Sequence, residues 1–209
     1  AKNIILLIGD GMGLSQVSAA IYMNNNESHI ERFPFIGLHK SYSADNLVTD
    51  SAAGATAFSC GIKTYNGAIG VTEDTVSVQT IMEELMQIGY STGLVASSSI
   101  VHATPASFAS HNRSRQNYEE IAADLANSGV DIMIGGGKSF FDRRAMDERN
   151  LVEEMGKNGY EVYDYFNDDL NKVDFKSKKY LYLTADKEPI TAQAGRDYLI
   201  PASSKAIDY

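Results

Sequence analysis

Asn3-Ile4-Ile5-Leu6-Leu7-Ile8-Gly9-Asp10-Gly11-Met12-Gly13 reads as a buried strand that runs into a glycine-rich turn. The apolar run from Ile4 to Ile8 leaves no polar face for solvent, which is the pattern of a strand covered on both sides in a parallel sheet. It is too short for a membrane span, which takes roughly 18–20 apolar residues. No other stretch approaches that length. Gly9-Asp10-Gly11 also lacks the small-residue cleavage pattern of a secretory leader, so any targeting peptide has been removed or was never present.

Outward from this run, short β-branched segments alternate with helical ones. Ile36–His39, Thr92–Ala96, Asp131–Ile134, Glu161–Tyr163 and Tyr180–Leu183 read as further strands. Val78, Ile81, Met82, Leu85 and Met86 recur at helical spacing, with Ser77 as N-cap and Gly89 just past the end. A second helix spans Tyr118–Asn127, with Asn117 and Glu120 set as a capping box, and a third covers Leu151–Lys157. Pro201-Ala202-Ser203-Ser204 starts a last one that is still running at Tyr209, as expected of a fragment. Strands alternating with helices predict an α/β fold on a parallel sheet, with no repeat or low-complexity linker to divide it.

The composition agrees. The chain has 209 residues, 44% hydrophobic and 22% charged, enough for one sizeable domain with a continuous core. With 18 basic and 27 acidic residues the net charge is −9, so no basic surplus exists for nucleic acid or an anionic membrane surface. An anionic ligand must therefore be held by a local site. The single cysteine, Cys60, excludes an internal disulfide and a cysteine zinc cluster, and reads as a small buried hydrophobe.

In an open α/β sheet, ligands sit beyond the carboxyl ends of the strands. There Asp10 offers a hard oxygen ligand between glycines that permit close approach, although the same residues also read as a simple capped turn. Leu14 stands where a dinucleotide fingerprint needs glycine. Thr49-Asp50-Ser51-Ala52-Ala53-Gly54-Ala55-Thr56-Ala57 is a slim helix with Ser51 at its N-terminus, where the dipole favours an anion and a developing alkoxide; capping alone also explains it. No Gly-x-Ser-x-Gly elbow is present, and without a histidine base Ser51 needs a metal to lower its pKa. His102 and Thr104 alternate by two, which in an extended segment points both to one side. In His111-Asn112-Arg113-Ser114-Arg115 the second arginine can clamp a phosphate bidentately. Gly135-Gly136-Gly137 lacks the Lys-Ser/Thr of a P-loop and reads as a tight turn.

Taken together, Asn3 to Gly13, then Val48-Thr-Asp-Ser-Ala-Ala-Gly-Ala-Thr-Ala, then His102-Ala-Thr-Pro-Ala with Ser114-Arg115, closely resemble the alkaline phosphatase family in order and spacing. Gly61-Ile-Lys-Thr-Tyr-Asn-Gly and Ile134-Gly-Gly-Gly-Lys extend the likeness over nearly the whole chain. The resemblance implies the N-terminal portion of a single domain over 1–209: an α/β three-layer sandwich with a mostly parallel central sheet flanked by helices, incomplete at its C-terminus. It implies a metal-dependent hydrolase of phosphate monoesters, with zinc and magnesium as cofactors, a homodimeric state and a periplasmic or secreted location.

Residue by residue, the resemblance makes Asp10 the carboxylate bridging zinc and magnesium, Ser51 the nucleophile that becomes phosphoserine, and Asp50 the partner of Arg115. It makes Arg115 the grip on phosphate and Thr104 a magnesium ligand, with His102 a further metal ligand where many bacterial members carry Asp. That substitution leaves the third metal open. The family draws most zinc ligands from its C-terminal half, and His29, His39, His102 and His111 match none of those patterns. The isolated chain is therefore expected to be catalytically silent. The other readings are a sulfatase or phosphotransfer relative, whose nucleophile is usually Thr or a modified Cys, and a non-catalytic fragment.

Overall fold

The computed structural model describes residues 3–175 and 179–209. Four strands, β1 (Gly93–Ser99), β2 (Ile132–Gly136), β3 (Tyr160–Asp164) and β4 (Lys179–Leu183), form an all-parallel sheet in the order β1-β2-β4-β3. The helices are α1 (Leu14–Met23), α2 (Ser51–Cys60), α3 (Ile81–Gln87), α4 (Ala103–Ala106), α5 (Tyr118–Asn127), α6 (Ser139–Asp142), α7 (Leu151–Lys157) and α8 (Leu199–Asp208). The sheet separates two cores because side chains alternate across its faces. Met133, Leu181 and Leu183 pack against Ile121 and Leu125 of α5 and Leu151 and Met155 of α7. On the opposite face Ile132, Ile134, Tyr180 and Tyr182 pack against Ala202 of α8 and against Leu170, Val173 and Phe175. Helix, sheet, helix is the three-layer α/β arrangement expected.

Two expected strands do not form. Residues 3–8 are irregular and unpaired, and Ile4 and Leu7 are 70% and 74% exposed. Ile36–His39 is likewise irregular, with Leu38 fully exposed and His39 set edge-on to Phe58. A strand is defined by the neighbour that takes its backbone hydrogen bonds, and among the described residues none pairs with either segment.

The start of α3 moves. Thr80, not Ser77, is the N-cap: its Oγ1 accepts from Glu83 N at 3.2 Å, and Glu83 Oε2 accepts from Thr80 N at 2.7 Å. Ser77 is drawn into an antiparallel bridge with Val71, and Val78 N donates to Gly70 O, so neither enters the helix. The capping box expected for α5 is also absent; Asn117 Nδ2 instead donates to Glu120 Oε2 and Asn112 Oδ1. The last helix begins at Leu199, which puts Pro201 in the first turn, where its missing N–H costs nothing.

The tight turn expected of Gly135-Gly136-Gly137 is corrected: Gly135 and Gly136 are the last residues of β2, Gly135 pairing with Leu183 and Gly136 with Ser99, and Gly137 follows the strand. A side chain on Gly136 would lie 2.3 Å from Lys187 O, and Gly137 has φ +107°, so close approach and backbone conformation both require glycine.

Candidate active site

The site is built from the N-terminal end of α2. Asp50 caps this helix, its Oδ1 accepting from Ala53 N at 2.9 Å, and Ser51 is the first helical residue. The side chains that follow are small, so α2 lies close against α4: Ala52, Ala55 and Thr56 are buried, and Ser59 Oγ donates to Ser107 O at 2.6 Å. This packing fixes where Ser51 points. Its Oγ donates to Asp10 Oδ1 at 3.1 Å.

The other oxygen of Asp10 is also engaged. Thr104 Oγ1 donates to Asp10 Oδ2 at 2.7 Å, so two hydroxyls from different helices converge on one carboxylate. Thr104 arrives there from the short helix α4, which His102 precedes at the N-cap position without a side-chain capping bond. The expectation of an extended segment with His102 and Thr104 alternating on one side is therefore corrected: the turn of α4, stabilised by Ser107 Oγ donating to Ala103 O, delivers Thr104. Asp10 itself lies within the turn in which Met12 N donates to Gly9 O and Gly11 takes φ +64°.

Arg115 joins from the far side. Its Nη1 donates to Asp50 Oδ2 at 2.9 Å, the two side chains being 20% and 25% exposed, and its Nη2 lies 3.3 Å from His102 Nε2. Facing an arginine donor, His102 Nε2 must accept, which leaves the ring proton on Nδ1. The same lone pair can serve Arg115 or a cation but not both. Asp50 thus spans two parts of the site, holding the start of the Ser51 helix with one oxygen and the guanidinium with the other.

Asn66, which the sequence offers only as part of the stretch Gly61-Ile-Lys-Thr-Tyr-Asn-Gly with no role of its own, completes the framework. Asn66 Oδ1 accepts from Asp50 N and its Nδ2 donates to Val48 O, both at 2.9 Å. Asn66-Gly67 looks like an ordinary turn pair in sequence, and only this long-range contact distinguishes it. His111 lies outside the site. Its Nδ1 is 2.7 Å from Gly70 O and its Nε2 is 2.8 Å from Glu83 Oε1. Both partners are acceptors, so both ring nitrogens carry protons and the imidazolium is a tie between the Gly70 turn and α3. Cys60 is half-buried, not fully buried, and burial pushes its thiol up, away from reactivity.

The donors around Asp10 are one carboxylate and two hydroxyls, hard oxygens that suit magnesium. Zinc ordinarily takes at least three protein ligands, drawn from His, Cys and carboxylates. Among the described residues no three His, Cys, Asp or Glu side chains come together in such a group. The oxygen set therefore fits a share of a metal site, with Asp10 as the carboxylate that a zinc ion could also use.

Comparison with known proteins gives a consistent result. Residues 1–199 match the alkaline phosphatase family pattern. Alkaline phosphatase 3 of Bacillus subtilis is 46% identical over 187 residues, covering 83% of this chain and 40% of that protein. The Escherichia coli alkaline phosphatase is 35% identical over 195 residues, covering 78% and 41%. The crystallised alkaline phosphatase from the Antarctic bacterium TAB5 superposes with a TM-score of 0.93 at 42% identity, covering 99% of this chain and 61% of that one. A histidine-to-glutamate variant of the TAB5 enzyme carries magnesium in its M3 site. The chain spans about 40% of the length of these curated relatives.

Proposed function

Because the chain belongs to the alkaline phosphatase family, we propose that the protein hydrolyses phosphate monoesters through a phosphoserine formed on Ser51. The observation that supports this most directly is the convergence of Ser51 and Thr104 on the two oxygens of Asp10, beside an Arg115 clamped by Asp50. The Asp50 carboxylate takes the Ala53 N–H, and the other N–H groups of a helix's first turn have no partner within the helix, which is what favours an anion at its start. Arg115 keeps further N–H donors for the equatorial oxygens of the phosphoryl group after pairing with Asp50.

Ser51 Oγ attacks phosphorus while the bond to the leaving alcohol breaks. The leaving oxygen then takes a proton, and water later cleaves the Ser51 phosphoester to free inorganic phosphate and the serine hydroxyl. The hydrogen bond to Asp10 orients Oγ and gives its proton a first acceptor, but a carboxylate cannot deprotonate an alcohol unaided. Asp10 and Thr104, with His102 alongside, are the residues that would hold zinc and magnesium, which would supply the positive charge that an ionised serine and the phosphoryl oxygens require. Arg115 stabilises that phosphoryl charge through a planar fork that is already oriented.

The serine nucleophile beside Asp50 separates this reading from a sulfatase-type relative. A homodimeric, periplasmic or secreted enzyme acting on small phosphate monoesters, not nucleic acid, fits the family and the charge of −9. Among the described residues no group of three His, Cys, Asp or Glu side chains comes together, and the 209-residue chain by itself is expected to hold zinc poorly and to be catalytically silent. The test is to trap the full-length protein with labelled phosphate at acidic pH: label on Ser51 is expected, and a Ser51→Ala protein that still forms phosphoenzyme refutes the assignment.

A further inference from the structure

Helix α2 ends at Gly61, and the chain then folds back along the helix so that residues 64–67 lie beside its start. Asn66 is pinned there from three directions. Its Oδ1 accepts from Asp50 N, its Nδ2 donates to Val48 O, and its own N–H donates to Asp45 Oδ1 at 3.0 Å. The residues on either side reach the opposite wall of the site. Gly67 O accepts from Arg115 N at 2.8 Å, and Tyr65 OH donates to Arg113 O at 2.8 Å. One tripeptide therefore bonds to the backbone on both sides of the ion pair between Asp50 and Arg115.

We infer that Tyr65-Asn66-Gly67 is a positioning brace that sets the distance between the Ser51 helix start and the Arg115 fork. The inference rests on the phosphatase reading above and adds residues to it. None of the three reaches the reacting atoms, so they act through Asp50 and Arg115. An exposed arginine carries many rotamers, and phosphate binding gains from a guanidinium whose backbone is already placed. The Asp50 to Arg115 ion pair cannot do this alone, because paired side-chain heads hold each other but leave the backbones behind them free to shift along flexible stems. Asn66 suits the task because its amide presents an acceptor and a donor in fixed geometry; Asp at this position would turn a carboxylate oxygen toward Val48 O, and Ala would bond to neither backbone.

The experiment uses the full-length protein with zinc and magnesium, with inorganic phosphate as the probe and calorimetry as the readout beside p-nitrophenyl phosphate kinetics. Asn66→Ala is expected to weaken phosphate binding about tenfold, the scale of one well-placed hydrogen bond to a charged site. In an Arg115→Ala background the same change should weaken it less than twofold, because the group being positioned is gone. A purely structural role would produce the same loss in both backgrounds. Tyr65→Phe, which removes only the bond to Arg113 O, should give a smaller loss in the same direction and decides the matter if Asn66→Ala fails to fold. Equal losses with and without Arg115, or wild-type phosphate affinity in both single variants, overturn the brace. A wild-type protein that hydrolyses no phosphate monoester overturns the functional reading itself, and the brace with it.

Discussion

The runs from Ile4 to Ile8 and from Ile132 to Gly136 are both short, apolar and followed by glycine, yet they meet opposite fates. Ile132, Met133 and Ile134 are sealed between β1 and β4, with side chains buried on both faces, whereas Ile4 and Leu7 stand open to solvent. The difference shows that an apolar run supplies only the capacity to be a strand. Neighbours on both edges supply the hydrogen bonds, and layers on both faces make burial worthwhile. The candidate site straddles the two kinds of region. Asp10 ends the open run, while Ser51, Thr104 and Arg115 belong to the packed body.

The largest test of that contrast is stability. Ile134→Ala, which empties a fully buried position, is expected to cost about 3 kcal/mol, while Leu7→Ala should change stability by less than about 0.5 kcal/mol. Urea unfolding at constant m-value compares them. Equal losses would mean that the open run is buried in solution, and the contrast between the two regions would collapse.

A second test addresses the site. Arg115→Lys keeps the charge but loses the fork that meets Asp50, and should weaken phosphate binding by about 1.5–3 kcal/mol. Calorimetric titration with inorganic phosphate measures this. A Lys variant that binds phosphate as tightly as the wild type would place Arg115 outside the pocket.

The smallest effect is a pH dependence of the packed body, which the open run lacks. Burial pulls the His111 imidazole down, but its bonds to Glu83 and the Gly70 carbonyl outweigh that and leave it raised. Burial likewise pushes the Glu83 carboxyl up, and bonds from His111 and the Thr80 N–H outweigh it and leave it lowered. Asp124, which accepts from His111 N at 3.1 Å and Ser110 Oγ at 2.7 Å, adds to the stabilisation of the imidazolium. The His111 contribution is complete below the unfolded histidine pKa of about 6.5 and is lost as pH rises through the raised folded value. The Glu83 contribution is present above its unfolded pKa and is lost as pH falls through the lowered one. Stability should therefore peak between the two titrations, and His111→Gln should flatten the alkaline limb of the denaturation midpoint plotted against pH.

Much of this was legible in the sequence because it depends on neighbours a few residues apart. The strands near 93, 132, 160 and 179, the helices at 118–127 and 151–157, and the placement of Ser51 behind an Asp50 cap all follow from local periodicity and capping chemistry. The resemblance to alkaline phosphatases rested on motifs of the same local kind. Thr80 and Glu83 also spelled out their capping box, which the apolar spacing from Val78 obscured.

Tertiary structure decided what joins across distance. Asp10 meets Ser51 across 41 residues and Thr104 across 94, while Asp50 meets Arg115 across 65. No periodicity encodes such closures; they depend on how far α2 and α4 can approach and on where each loop returns. Asn66 and Gly67 are ordinary turn residues until the fold lays them between Asp50 and Arg115. The run from Ile4 to Ile8 is the converse case, with a strong local signal and no partner strand among the described residues. Local chemistry proposes elements within a few residues, and burial and hydrogen bonding between distant segments determine which of them become structure and which side chains meet.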